Sequence, residues 1–457
     1  AGFGAPKGCP EPTTVLASLH REEYMTDDAT SSPLLGQSAW GLIGELTLVG
    51  GGLINFVALL RLLTVSDYGI VGSIQGIAAP AFALASMGAP FLMVRTVSRG
   101  GDRQEVWQRT LTSVIMGSLA VTVLLVILQP FILGPAALLP YALLLVSTGA
   151  LAAFQELYFG LAMAIERIEL GVASRIIGVG ARLGGLALFA VVSDQSLTSW
   201  AWFAFVSNVI GCVAITLLLS RPFGIRFRLV HPKTWIGNAR QGYGFAMNGV
   251  SEGVLDASDR PVLQNAGFAE VSGHYSAAAR MVTFSYIPVL ALFRVITPRI
   301  MRGGETGPNG AYRATLRLVP TFAGLGGIVS LLTFVLAPLP ARLIGDSYQP
   351  SIEILRWLAI VPFIKVIQYL AGNALDAGQR QFVRLWLTLA AAGLNLTLNI
   401  IFIPRYSWRA AVTTTLIAET ALLVALWGAL IVLSRRGSQE PSTQEDEART
   451  EAEHAQP

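Results

Sequence analysis

The chain has 457 residues, 53% hydrophobic and only 13% charged, with a mean hydropathy of +0.58 and a formal net charge of +4. A soluble domain carries about a quarter charged residues, so this composition excludes a water-clothed globule and demands lipid. The small positive balance is no nucleic-acid signal. Two cysteines (Cys9, Cys212) and four scattered histidines (His20, His231, His274, His454) build neither a disulfide framework nor a metal site, and no cofactor is expected.

Residues 1–24 are polar, Pro-containing and unpatterned, and Met25-Thr26-Asp27-Asp28 reads like a start just ahead of the first apolar run. Whether the leading segment belongs to the natural protein stays open. It is no signal peptide, because no apolar core follows a basic start. Residues 1–37 read as a disordered cytoplasmic tail. A bilayer core of about 30 Å takes roughly 20 apolar residues of helix. Such runs fall at about 38–60, 70–94, 110–133, 137–165, 170–193 and 198–220. After a basic linker, 221–240, others follow at 241–264, 275–298, 314–340, 350–374, 382–403 and 410–433. The seventh is the most polar, and an interfacial helix is its rival reading. From 434 onward the chain is polar and unpatterned, as disordered tails are.

Loop charge alternates along this sequence. With the N-terminus inside, the inner connectors carry nineteen Lys and Arg, against four (Arg61, Arg342, Arg405, Arg409) on the outer ones. That bias predicts cytoplasmic termini and an even number of spans. A repeat is also visible. Tyr68 is followed by Pro80, Pro90 and Arg95, and Tyr275 by Pro288, Pro298 and Arg302, at nearly the same offsets. Both tyrosines stand at an outer helix start, where a ring suits the interface. Two halves in parallel orientation place a binding site between them, as in secondary transporters. The expected architecture is therefore all-α and membrane-integral: twelve transmembrane helices in two pseudo-symmetric six-helix halves, 38–220 and 241–433, around a central cavity.

A charge near the bilayer centre costs about 2.5–3.5 kcal/mol, so each one asks for a reason. Arg182 and Lys365 lie midway along their spans, and Glu156 and Glu419 are well inside. Glu45, Arg280, Arg294 and Arg356 are within two turns of an end and could snorkel. In the seventh span Glu252, Asp256, Asp259 and Arg260 fall on one helical face, extended by Asn248 and Gln264 into a polar stripe. Internal ion pairing is the plainer reading: Arg260 with Asp256, and Lys365 or Arg182 with Glu156 or Glu419. Close packing already has its own residues, a Gly180/Gly184 pair and Gly324, Gly326 and Gly327 in the ninth span. The charges thus look surplus to packing and predict a hydrated cavity. Its cations suit an anionic substrate, since Arg grips phosphate bidentately and Lys acts as a point charge. The acids suit a coupling proton or Na⁺.

Several segments in order carry a resemblance. Arg61-Leu62-Leu63-Thr64-Val65-Ser66-Asp67-Tyr68-Gly69 closes the first span, and Gly273-His274-Tyr275-Ser276-Ala277-Ala278-Ala279-Arg280 opens the eighth. With Ile296-Thr297-Pro298-Arg299, Gly345-Asp346-Ser347-Tyr348 and Asn399-Ile400-Ile401-Phe402-Ile403-Pro404, the chain from about 36 to 433 resembles the polysaccharide-export flippases. These are the oligosaccharide flippases of the multidrug/oligosaccharidyl-lipid/polysaccharide exporter superfamily. Trp408-Arg409-Ala410-Ala411 departs from the Gly-Ala-Ala run that often opens the family's twelfth span.

The resemblance implies alternating-access transfer of a polyprenyl-diphosphate-linked oligosaccharide from the inner to the outer leaflet of a bacterial inner membrane, for polysaccharide or lipopolysaccharide biosynthesis. It implies a transporter, not an enzyme. Its partners would be the lipid-linked oligosaccharide, the bilayer, and glycan polymerase and glycosyltransferases, with no nucleic acid. Arg61, Arg182, Arg260, Arg280 and Lys365 are the residues expected at the anionic headgroup. Asp256, Asp259, Glu45 and Glu156 are expected in coupling or gating. The alternatives are a multidrug cation antiporter of the same superfamily, a peptidoglycan-precursor flippase and, in another class, a membrane-embedded glycan polymerase or ligase. No P-loop pattern is present to make ATP the direct driver.

Overall fold

In a computed structural model of the chain the described residues are 31–437, apart from 135–136, 231–232, 305–306, 340–341 and 343–344. Of the tails expected at 1–37 and 434–457, residues 1–30 and 438–457 lie outside them, as do Cys9, His20, His231 and His454, while 31–37 and 434–437 are helical. Among the described residues the secondary structure is all helix. The elements are α1 (Ser31–Leu62), α2 (Val65–Ser86), α3 (Ala89–Val97), α4 (Arg103–Leu133), α5 (Leu138–Leu145), a π-helical turn (Val146–Leu151), α6 (Ala152–Ala164), α7 (Ile168–Val192) and α8 (Leu197–Phe223). They continue with α9 (Lys233–Ala257), α10 (Asp259–Asn265), α11 (Ala269–Gly304), α12 (Pro308–Leu316), α13 (Val319–Val335), a 3₁₀ turn (Asp346–Tyr348), α14 (Pro350–Leu358), α15 (Val361–Ala377) and α16 (Gln381–Gly437).

Among the described residues nine helical stretches are long and apolar enough to cross a membrane, and α12 with α13, bent by 51°, makes a tenth. The protein is a multi-pass membrane protein. The stretch Gln381–Arg435 counts once among the nine, yet it turns back at Ser407 (φ 54°, ψ −137°). Thr414 Oγ1 donates to Asn399 Oδ1 at 2.5 Å across that turn, although residues fifteen apart in a straight helix are separated by about 22 Å. The stretch expected as the seventh span, α9, is not among the ten, because its polar residues lower its hydropathy.

Local chemistry sets the ends. Thr64 Oγ1 accepts the Asp67 amide at the start of α2, Asp102 that of Glu105 at the start of α4, and Ser196 that of Ser199 at the start of α8. α2 stops at Met87 and Gly88, both left-handed, because Pro90 opens the next helix. α8 ends on left-handed Gly224, inside the stretch expected as a linker.

The second span sits at the middle of the bundle. Gly69, Gly72 and Gly76 put its backbone directly on α11 and on the junction of α9 and α10. A Cβ at Gly69 would stand 2.5 Å from the Ala269 carbonyl oxygen, at Gly72 2.3 Å from Ser276 Oγ, and at Gly76 2.7 Å from the Ala257 carbonyl oxygen. Gly273 meets the Val65 carbonyl the same way, at 2.0 Å. These glycines, and not the expected Gly180/Gly184 pair, make the close approach. A Cβ added at Gly180, Gly184, Gly324 or Gly327 would meet no neighbouring element within 4 Å, while one at Gly326 would pack on Phe363 and Val366. A GxxxG spacing specifies a smooth face but not what meets it. The repeat tyrosines also differ from expectation. Tyr68 is buried beside Phe56 (ring centroids 6.2 Å apart), and Tyr275 is buried as a hydrogen-bond donor to Asp259.

Candidate substrate cavity

The seventh span is broken, and Pro261 explains where. A proline has no N–H for the carbonyl four residues back, and its ring crowds that carbonyl. The residue four back is Ala257, where α9 ends. Side chains from two helices, α16 and α2, bond the chain around the break. Asn395 Nδ2 donates to the Leu255 carbonyl (2.9 Å), Asn399 Nδ2 to Ser258 Oγ (3.2 Å), and Ser73 Oγ to the Arg260 carbonyl (3.0 Å). Asp259 is buried in this knot. It accepts from Tyr275 Oη, from the Arg260 amide (2.9 Å) and from Thr415 Oγ1 (3.4 Å). The continuous polar stripe expected from the sequence is therefore two pieces. Asp259 turns into the protein, while Asp256 and Arg260 reach the cavity wall.

That cavity, about 560 Å³, is lined by α1, α2, α5, α6 and the π-turn between them, α7 and α8 on one side and by α9, α10 and α11 on the other. Its polar wall is made of Asn55, Gln75, Ser147, Thr148, Ser207, Asn208 and Thr283, and Trp200 also lines it. The π-turn, a geometry common at functional sites, brings Ser147 onto the Ala204 carbonyl (2.9 Å) and Asn208 Nδ2 onto Ser147 Oγ (2.9 Å).

Three of the expected headgroup residues line this space: Arg182 of α7, Arg260 of α10 and Arg280 of α11. Among the described residues none of the three makes a salt bridge. Arg182 Nε donates to the Gly178 carbonyl one turn back (3.2 Å), and Arg280 lies over the Phe284 ring, 5.4 Å from its centroid. Arg260 is 9% exposed, and its Nε is buried without a partner. Arg260 and Arg280 are close enough for their charges to act on each other. Two like charges held together in a low dielectric are costly unless an anion joins them.

The remaining expected residues stand elsewhere. Lys365 is outside the cavity wall, held between Asp256 (Nζ–Oδ1 2.6 Å) and Glu419 (Nζ–Oε1 2.7 Å), with Gln368 Nε2 on the second Glu419 oxygen (2.8 Å). Pairing of Lys365 with Glu419 was one of the expected ion pairs; pairing of Arg260 with Asp256 was another and does not occur. Glu45 bonds Arg175 Nη1 (2.8 Å), whose guanidinium lies 3.4 Å from the Phe159 ring centroid. Glu156 is exposed one turn beyond the cavity-lining Ala152, within electrostatic reach of Arg175 and Arg182. Arg61 is exposed in the last turn of α1, outside the cavity wall. Arg356 is exposed over Phe334, as snorkelling predicts, and the Arg294 side chain is outside the described residues. Reading the sequence missed Arg384. It looked like a connector charge but is tucked against Asp376 and Glu252 (Nη2–Oε1 3.1 Å). Its i−8 relation to Asp376 and the polar face of α9 were the available signals.

Known proteins place this geometry. By structure the chain is similar to a multidrug resistance MATE family transporter of the MOP superfamily in its inward-facing conformation (TM-score 0.68, 15% identity, 87% of this chain and 99% of that one). It is also similar to the lipid II flippase MurJ in an inward closed conformation (TM-score 0.66, 12% identity, 87% and 90%). An outward-facing MATE family transporter of that superfamily fits at TM-score 0.59 (15% identity, 87% and 97%). No curated protein matches the chain. The family model described as "Polysaccharide biosynthesis protein" matches residues 36–303. The chain is thus a membrane protein of the polysaccharide biosynthesis protein family with the fold of the MOP superfamily transporters.

Proposed function

We propose that this protein is a flippase that carries a polyprenyl-diphosphate-linked oligosaccharide across the bacterial inner membrane, and that it is a transporter and not an enzyme. The observation that carries the reading is the trio Arg182, Arg260 and Arg280, facing one cavity with no salt-bridge partner among the described residues. A diphosphate supplies what three guanidinium groups lack, and each charge-assisted bond is strong because the site is partly desolvated. The amides and hydroxyls of Asn55, Gln75, Asn208 and Thr283 suit sugar hydroxyls, and the lipid tail stays in the bilayer. Lipid II, named for one structural neighbour, is a sugar-bearing lipid of the same general kind.

Counting both arms of α16, the bent α12–α13 and the broken α9–α10 gives twelve crossings in two halves. The glycine seam between α2 and α10–α11 closes the cavity at the end where helices begin at Val65, Leu197 and Ala269. That end carries few basic residues, so by charge it is the outer one. The better fit to an inward-facing transporter than to an outward-facing one supports the same state. Alternating access then consists of parting this seam while closing the inner side. A multidrug cation carrier is disfavoured, because Asp256 is the single carboxylate among the described wall residues and it is already held by Lys365. Depleting the protein should pile up lipid-linked oligosaccharide in the inner leaflet and remove surface polysaccharide. Normal surface polysaccharide after deletion would end this reading.

A further inference from the structure

Asp256 and Arg260 are four residues apart at the cavity wall, the spacing at which opposite charges on a helix pair. They do not pair. Lys365 of α15 takes Asp256 and is itself held from behind by Glu419 of α16. The Asp256 side chain is 46% exposed, against 10% for Lys365 and 1% for Glu419, so the ammonium lies behind the carboxylate, shielded from the cavity by it. One turn earlier Arg384 holds Glu252 in the same manner.

Building on the anionic-headgroup reading above, we propose that Lys365 is a positioning residue that sets the polarity of the cavity. It pins Asp256 against α15 and neutralises it, so that Arg260 keeps its donor fork for a phosphate. A carboxylate and a phosphate compete for the same fork, because both accept two parallel N–H bonds from one guanidinium. Without the ammonium, Asp256 is four residues from an arginine to whose guanidinium no described carboxylate makes a salt bridge. It closes on Arg260 and occupies the donors from within. Direct contact between Lys365 and the headgroup, expected from the sequence, predicts instead a loss that removing Asp256 does not repair.

The test uses the purified full chain in detergent with farnesyl diphosphate as probe, titrated calorimetrically, with the unfolding temperature of each variant recorded. Failure of the unaltered protein to bind the probe strikes the headgroup reading itself. Given that binding, Lys365→Met should weaken it about tenfold or more, and Lys365→Met with Asp256→Asn should restore it to within about threefold. A double variant as weak as the single one overturns the proposal, as does a Lys365→Met protein that binds like the unaltered one. Should the single variant not fold, Lys365→Met/Asp256→Asn/Glu419→Gln leaves no unpaired buried charge. It should bind within about threefold of the unaltered protein, and a loss of about tenfold overturns the proposal equally.

Discussion

Two groups of membrane-embedded cations stand side by side here and behave differently. Lys365 and Arg384 are enclosed in ion pairs with Asp256, Glu419, Glu252 and Asp376. Arg182, Arg260 and Arg280 face the cavity, and no described carboxylate bridges them. Depth in the membrane does not separate the two groups, since Lys365 and Arg182 both lie midway along their spans. The partner does. A cation whose carboxylates are already in place holds helices together, whereas a cation kept without one is a site waiting for an anion. The first group should therefore matter for stability, with Lys365 acting on binding only through Asp256, and the second for transport directly.

Substitutions should separate those roles, and the largest effect belongs to the paired group. Lys365→Met leaves two carboxylates without their cation and should lower stability by about 3–5 kcal/mol, seen as a clear fall in the unfolding temperature of the purified protein. Arg260→Met should do the reverse. It removes a desolvated charge, so the unfolding temperature should hold or rise, while export falls by about 10–150-fold for an arginine–phosphate bond of roughly 1.5–3 kcal/mol. Surface polysaccharide measured at equal protein level checks this, and a destabilised Arg260→Met would blur the distinction between the groups.

The glycine seam gives an effect of intermediate size. Gly273→Ala drives a Cβ toward the Val65 carbonyl oxygen, 2.0 Å away in the closed seam, and should penalise the outward-closed state by about 1–3 kcal/mol. A cysteine replacing Gln75, in a chain lacking Cys9 and Cys212, should then react faster with an impermeant maleimide added from outside. The smallest effect is expected at Arg61. It is exposed and outside the cavity wall, so Arg61→Met should change export by less than about threefold, or under 1 kcal/mol. A large loss would return Arg61 to the headgroup set that its motif suggested.

Much of this was legible before the fold. Apolar length marked out most of the membrane-crossing helices, and a charge in lipid marks itself out, so Arg182, Arg260 and Arg280 could be singled out individually. What stayed hidden depends on three-dimensional neighbours. Lys365 and Asp256 are 109 positions apart, and no local pattern tells a lysine that reaches a cavity from one that is screened from it. The break at Ala257 was readable in principle, from Pro261 four residues on. Treating 241–264 as one uninterrupted helix put Asp259 on the cavity face, whereas the break turns it into a knot with Tyr275 and Thr415. The π-turn at 146–151 has no comparable signature, and the wall formed by Ser147 and Thr148 was missed with it. Gly69, Gly72 and Gly76 were passed over for the Gly180/Gly184 pair because spacing alone does not say which smooth face another helix will meet.

The central claim is that the cavity recognises an anion, and binding selectivity tests it most directly. The purified protein should be titrated with farnesyl diphosphate and, separately, with ethidium as a lipophilic cation, at low and high salt. The account predicts binding of the diphosphate that weakens as salt rises and is lost when Arg182, Arg260 and Arg280 are replaced together by Met, with ethidium not bound. Ethidium binding competed by protons or Na⁺, with no measurable affinity for the diphosphate, would contradict it and identify a cation carrier instead.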